Sequence, residues 1–304
     1  MTIDDQRFLF ITGKGGVGKT TVTAALAMGL AERGKRVLVT SCDGQAQLGQ
    51  SLAMDPESGK PLDDTVRELR PGVWGVRLVP DACLREYGLM KLKSRVLNDA
   101  VFGNRYAKNF FAAVPGLRQW AMLGKAWFHS TEKTGKINRF DVVLFDAPAT
   151  GHALEMLQVP KVIVDSVPAG ILRTDAQAAW EMLCDPVQAG VLLVTLPEEM
   201  PTNETVELQR AITGELGLPC CGLVINQVIP KLFSSADASA LTGLSGDSLG
   251  PLELARRRAR REQVQGMCID RLLATVDRDA RELPFISSAL DTGALSRLKA
   301  ALLS

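Results

Sequence analysis

The chain has 304 residues, 46% hydrophobic and 23% charged, with 35 Lys and Arg against 34 Asp and Glu and a formal net charge of +1. That balance excludes a global attraction to nucleic acid or to an anionic membrane, so either partner would have to be met by a local patch. No apolar stretch approaches the ~20 residues of a membrane span, and the acidic opening MTIDDQRF does not read as a secretory signal; the expectation is a cytoplasmic protein.

In chain order, Phe8–Thr12 is a short apolar strand, and Lys19–Arg33 has the composition of a helix ending at Gly34. Arg36–Thr40 is a second strand, with Asp43 just beyond its carboxyl end. Strand, helix and strand within ~30 residues make a βαβ unit, which implies a parallel sheet covered on both faces. Val73–Val79 follows as a third strand and Asp141–Asp146 as a fourth, apolar enough to be buried on both faces. Then come Ala189–Leu196, a helix over Thr202–Leu216, a strand at Pro219–Asn226 and a short one at Glu282–Ile286. The alternation predicts a doubly wound, mostly parallel α/β sheet as a single domain over 1–304.

Two regions break this rhythm. Cys83–Asn138 is far longer than an ordinary crossover. It places Leu89, Met90, Leu92, Val96, Leu97, Val101 and Phe102 at helical spacing, so 83–138 reads as an inserted helical subdomain. Ile229–Pro251, rich in Ser, Gly and Ala, reads as a mobile surface segment without a sustained period. The six cysteines form no C-x-x-C pair, and His129 and His152 lie far apart, which suits reduced, packed thiols. A thiolate site assembled from distant cysteines stays open at this point.

The chemistry is concentrated in 13-GKGGVGKT-20, which fits G-x-x-x-x-G-K-[ST] between a strand and a helix. Gly13, Gly15, Gly16 and Gly18 allow the backbone to approach phosphates closely, and successive N–H groups, with Val17 between them, point inward toward the positive end of the following helix. Lys19 would neutralise the β- and γ-phosphates, Thr20 would ligate Mg²⁺, and Thr21 extends the contacts into the helix. The predicted ligands are therefore ATP and Mg²⁺. Lys14 is surplus to this scheme: a second ammonium at the same phosphates would be repelled by the first.

With Lys14 in place, the loop resembles the deviant Walker A motif, K-G-G-x-G-K-[ST], of the SIMIBI-type P-loop NTPases that include MinD, ParA, the nitrogenase iron protein and ArsA. That resemblance implies a homodimer in which Lys14 crosses to the partner's nucleotide, as an arginine finger does. The stretch 146-DAPATGH-152, continued by Leu154, Leu157 and Pro160, is similar to the second switch of the ArsA branch, the arsenite-pump and tail-anchored-protein-targeting ATPases. It implies that Asp146 holds Mg²⁺ through water, that Gly151 lets the switch move and that His152 belongs to it. The first switch departs from the family's D-P-A-H-[NS]-L: Asp43-Gly44-Gln45-Ala46-Gln47-Leu48 keeps only the Asp and the Leu. Asp43 can still polarise the attacking water, though a cap is its plain structural alternative.

By the same resemblance Asn226 contacts adenine and Pro284 belongs to the loop covering the base. The zinc clasp of the eukaryotic targeting factors is absent, and the chain resembles a single-domain bacterial member. The implied function is a Mg-ATP-driven open–closed switch acting on a hydrophobic client helix or a membrane protein partner. A nucleotide-sensing scaffold with little turnover and a ParA/MinD-like positioning ATPase are the alternatives. The apolar residues of 115-PGLRQWAMLGKAWFH-129 could line a client groove or close a core. Arg256–Arg258 with Arg260 and Arg261 spread around a helix flanked by Glu253 and Glu262, so a nucleic-acid partner is not expected.

Overall fold

In β1 (Phe8–Thr12) all five residues are buried, and alternate side chains feed two different cores. Phe8 and Phe10 face one side of the sheet with Leu38, Val143, Phe145 and Leu193; Leu9 and Ile11 face the other with Val39, Leu144, Leu192 and Val194. This is the period-two geometry of a strand in a sheet covered on both faces. The computed structural model describes residues 6–42, 47–52, 61–92, 116–244, 250–276, 279–287 and 292–303.

The strands that complete the sheet are β2 (Val37–Ser41), β3 (Arg67–Arg70), β4 (Val73–Arg77), β7 (Val142–Asp146), β8 (Ala189–Thr195), β9 (Cys220–Val228) and β10 (Ala280–Pro284). A two-residue hairpin pair, β5 (Lys133–Thr134) and β6 (Ile137–Asn138), stands apart. The eight strands run in the order β10-β9-β8-β1-β7-β2-β4-β3, and every neighbouring pair is parallel except β3 with β4. The chain leaves β1 toward one side of the sheet and later fills the other, so the loop after β1 lies at the switch point where α/β folds place ligands.

Helix α1 (Lys19–Glu32) buries Val22 to Leu30 without interruption, because α10 (Thr292–Leu303) crosses its outer side. A Cβ at Gly29 would lie 2.1 Å from Leu303 Cδ1, so the crossing is close at this point and a larger residue would push the Leu303 side chain aside. The opposite face is covered by α4 (Leu117–Thr131), α5 (Thr150–Ser166), α6 (Ile171–Cys184), α7 (Glu199–Arg210) and the long α9 (Pro251–Thr275). Among the described residues no helix is long and apolar enough to cross a membrane.

The expected strands and helices stand within a few residues of their predicted places, with five differences. The antiparallel β3 and the β5–β6 hairpin were not anticipated. The predicted helix over Thr202–Leu216 begins earlier, at Glu199, and ends in a π-helical turn at Ala211–Glu215. The segment expected to be an unstructured surface stretch holds helix α8 (Ser235–Gly243), started by a capping box in which Ser234 Oγ accepts from Asp237 N while Asp237 Oδ2 accepts from Ser234 N. Serine-rich composition concealed a capping signal. Within α3 (Pro80–Leu92) it is Cys83 and Leu84 that turn inward, whereas Leu89 and Met90, assigned to the apolar face, are exposed.

Val96, Leu97, Val101 and Phe102 lie outside the described residues. The parts of the 83–138 region that are described pack on the sheet domain. Leu123 and Ala126 of α4 enter the main core, and Trp120 is buried against Val159 and Ile163 of α5.

Candidate functional site

The glycine loop between β1 and α1 is shaped by close backbone approaches. Gly13, at φ 153°, could not carry a Cβ, which would lie 2.0 Å from the Val194 carbonyl oxygen of β8. Gly18 takes φ 91° and sits against Asn226 at the end of β9, where an added Cβ would meet Nδ2 at 2.3 Å. Positive φ at these two positions costs glycine nothing and any other residue a good deal. The loop is thus wedged against the ends of two parallel strands, and the helix that follows packs back on the sheet.

Lys19 folds back over the loop. Its ammonium donates to the carbonyls of Gly13 at 3.1 Å and Lys14 at 3.0 Å. Thr20 Oγ1 donates to Asp146 Oδ2 at 2.8 Å, and Thr23 Oγ1 lies 3.5 Å from Asp146 Oδ1 while donating to Lys19 O. Asp146 is buried at the end of β7, beside β1. These side chains surround a cavity of ≈ 420 Å³ lined by Gly15, Gly16, Gly18, Lys19, Thr20, Thr21, Ser41, Asp146, Ala147 and Ala149, large enough for a nucleoside triphosphate's phosphate chain. A hydroxyl and a carboxylate in contact are the hard oxygen donors that Mg²⁺ takes when bound beside phosphates.

Lys14 is not part of that lining. It turns away and forms an ion pair with Glu204 of α7, Nζ to Oε1 2.6 Å. Asn226 is buried, and both ends of its amide are occupied: Nδ2 donates to Val17 O at 2.8 Å and Oδ1 accepts from Gln227 N at 2.9 Å. Gln227 has φ 60°, the one positive value for a non-glycine among the described residues. In this geometry Asn226 fastens β9 to the phosphate loop. Pro284 ends β10, where Phe285 N donates to Val228 O, so the 284–286 loop sits beside the end of β9. His152 is exposed, its Nδ1 3.3 Å from Glu155 Oε2. Asp43, Gly44, Gln45 and Ala46 lie outside the described residues.

Three functional neighbours were not singled out from the sequence. Ser41 lines the cavity from the last position of β2. Thr23 was detectable, because it stands one helical turn after Lys19 and so faces the same way. Glu204 carries no local signal, and only the packing of α7 brings it to the loop. Three of the five arginines of the basic run are paired within α9, Arg256 and Arg257 with Glu253 and Arg258 with Glu262. Burial pushes the Cys83 thiol up to about 12, which makes it a packed and unreactive sulfur.

A glycine loop held at the switch point, with its lysine folded over it and a threonine–aspartate contact at the neighbouring strand end, defines the P-loop class of nucleoside triphosphatases. Sequence comparison narrows the class: the model of the anion-transporting ATPase family matches residues 6–173. An arsenical pump-driving ATPase of Acidiphilium multivorum is 30% identical over 252 residues, which cover 77% of this chain and 41% of that protein. A putative ATPase of Mycobacterium bovis and ATPase BagA of Mycobacterium tuberculosis are each 29% identical over 234 residues, covering 76% of this chain and 68% of theirs. The chain belongs to the anion-transporting, ArsA-type ATPase family. It spans less than half the length of the pump-driving relative.

Proposed function

We propose that this chain is a Mg-ATP-dependent homodimeric ATPase switch that hydrolyses ATP to ADP and phosphate. The observation that carries the reading is the division of labour between the two loop lysines. Lys19 lines the cavity and folds over the loop, whereas Lys14 is not part of the lining and pairs with Glu204. One ammonium stands over the subunit's own phosphate cavity and the other is paired with Glu204 outside its lining, which supports a separate role for Lys14.

In the proposed cycle the loop amides and Lys19 hold the phosphate chain, and Lys19 moves from the Gly13 and Lys14 carbonyls to the phosphate oxygens. Thr20 and Asp146 would hold Mg²⁺, which when bound neutralises charge on the β- and γ-phosphates. Lys14 of each protomer completes the other's site, stabilising the charge that spreads over the transferred phosphoryl group. Asp43 orients the attacking water. The 146–152 segment follows β7 and its Ala149 lies beside Gly15, so it is placed to respond to the γ-phosphate. The open–closed change then acts on a client protein or membrane partner, a role supported by the name of the pump-driving relative.

Phosphate release measured on three proteins tests this reading. Lys19→Ala should abolish turnover. Lys14→Ala should lower it by about 10³-fold, the lower end of the effect of a charge supplied in trans, while leaving ATP binding in place. Turnover unchanged in Lys14→Ala would end the in-trans assignment.

A further inference from the structure

We infer that Glu204 is a positioning residue for Lys14. In the separate subunit it holds the ammonium in cis, and closure of the dimer exchanges this carboxylate for the partner's nucleotide. The strength of that internal pair sets how much ATP is needed to close the dimer. The inference rests on the in-trans reading of Lys14 and adds a residue that neither the motif nor the family match assigns.

The geometry is specific. The 2.6 Å contact joins a loop residue to a helix residue 190 positions later in the chain. The carboxylate is firmly based: α7 buries Pro201, Thr202, Thr205, Val206 and Leu208, and its Asn203 accepts a hydrogen bond of 2.6 Å from Arg271 of α9. The lysine's backbone is held between close approaches of its own loop, Gly13 against the Val194 carbonyl and Gly18 against Asn226. Lys14 can swing its ammonium on a flexible four-carbon stem. Its partner is a single carboxylate and both side chains are about a third exposed, so the pair is weak enough to yield. A triphosphate, carrying several negative charges, outcompetes one carboxylate once the second subunit brings it within reach.

The pair therefore works as a threshold. A partly exposed ion pair shifts an equilibrium by about 1.4- to 5-fold, and closure must break two of them, one in each protomer. Removing the carboxylate should then raise the closure constant roughly 2- to 25-fold. Because two ATP molecules share that gain, the ATP concentration at half-maximal turnover should fall by about 1.4- to 5-fold.

The experiment compares the parent with Glu204→Gln and Glu204→Asp. In the nucleotide-free protein, acylation of the Lys14 amine is followed by mass spectrometry. In the presence of Mg²⁺ and varied ATP, phosphate release gives the half-saturating concentration and the maximal rate separately. Glu204→Gln should label faster at Lys14 and reach half-saturation at lower ATP, with a smaller change in maximal rate; Glu204→Asp should restore much of both. Unchanged Lys14 labelling in Glu204→Gln would overturn the internal pair. Faster labelling with unchanged half-saturation would overturn the threshold. Either failure alongside a Lys14→Ala variant that has lost turnover defeats this inference alone, whereas full activity in Lys14→Ala defeats the in-trans reading beneath it.

Discussion

Replacing Asn226 by alanine tests whether the end of β9 builds the phosphate loop or only waits for a base. The side chain is buried and makes two bonds to main chain, to Val17 O and from Gln227 N. Alanine leaves both groups without a partner, at about 1–3 kcal/mol each, and the adjacent cavity lets water reach part of them, so the loss is about 2–4 kcal/mol. The same substitution removes the bond that accompanies the positive φ of Gln227, so no local compensation is available. Urea unfolding of the nucleotide-free protein measures this without any contribution from ligand. Asn226→Asp should fall between the two, since it keeps an acceptor for Gln227 and cannot donate to Val17. An Asn226→Ala protein that unfolds within about 0.5 kcal/mol of the parent would refute the anchoring role and leave contact with the base as the residue's only task.

Two further outcomes follow from the geometry. Asp146→Asn keeps an acceptor for the Thr20 hydroxyl and removes the charge, so calorimetric titration should show ATP binding that no longer strengthens when Mg²⁺ is added; an unaltered Mg²⁺ dependence would exclude Asp146 from the metal. His129 is buried, and burial holds its pKa below the usual imidazole value against the opposing pull of Glu132. The unfolded chain therefore takes up that proton first, so the parent should lose stability as pH falls below about 6.5 until the buried ring itself protonates. His129→Gln should flatten this part of the curve, and equal slopes for the two proteins between pH 7 and pH 5 would contradict the assignment.

The motif and the strands were legible in the sequence because both are local properties. A phosphate loop needs glycines and a lysine at fixed spacing next to a strand end, and Gly13 to Thr20 satisfy this within eight consecutive positions. The apolar runs of β1, β7 and β8 likewise announce strands buried on both faces. The edge strand β3 was missed because RELR carries three charges in four residues and gains its pairing only from β4. Helix α8 was missed because its composition resembles a loop, although Ser234 and Asp237 were in view.

By itself the sequence determined the class of site and the glycine loop with its lysine, since backbone freedom and charge at fixed spacing do not depend on distant neighbours. Tertiary structure decided where the remaining groups point. It paired Thr20 with Asp146 across 126 positions, turned Asn226 onto the loop from the far end of the chain, and seated Lys14 on Glu204. Those contacts arise from parallel strands that end on the same edge of the sheet. Which strands become neighbours is set by burial of both faces together, a global condition that no short window of sequence contains.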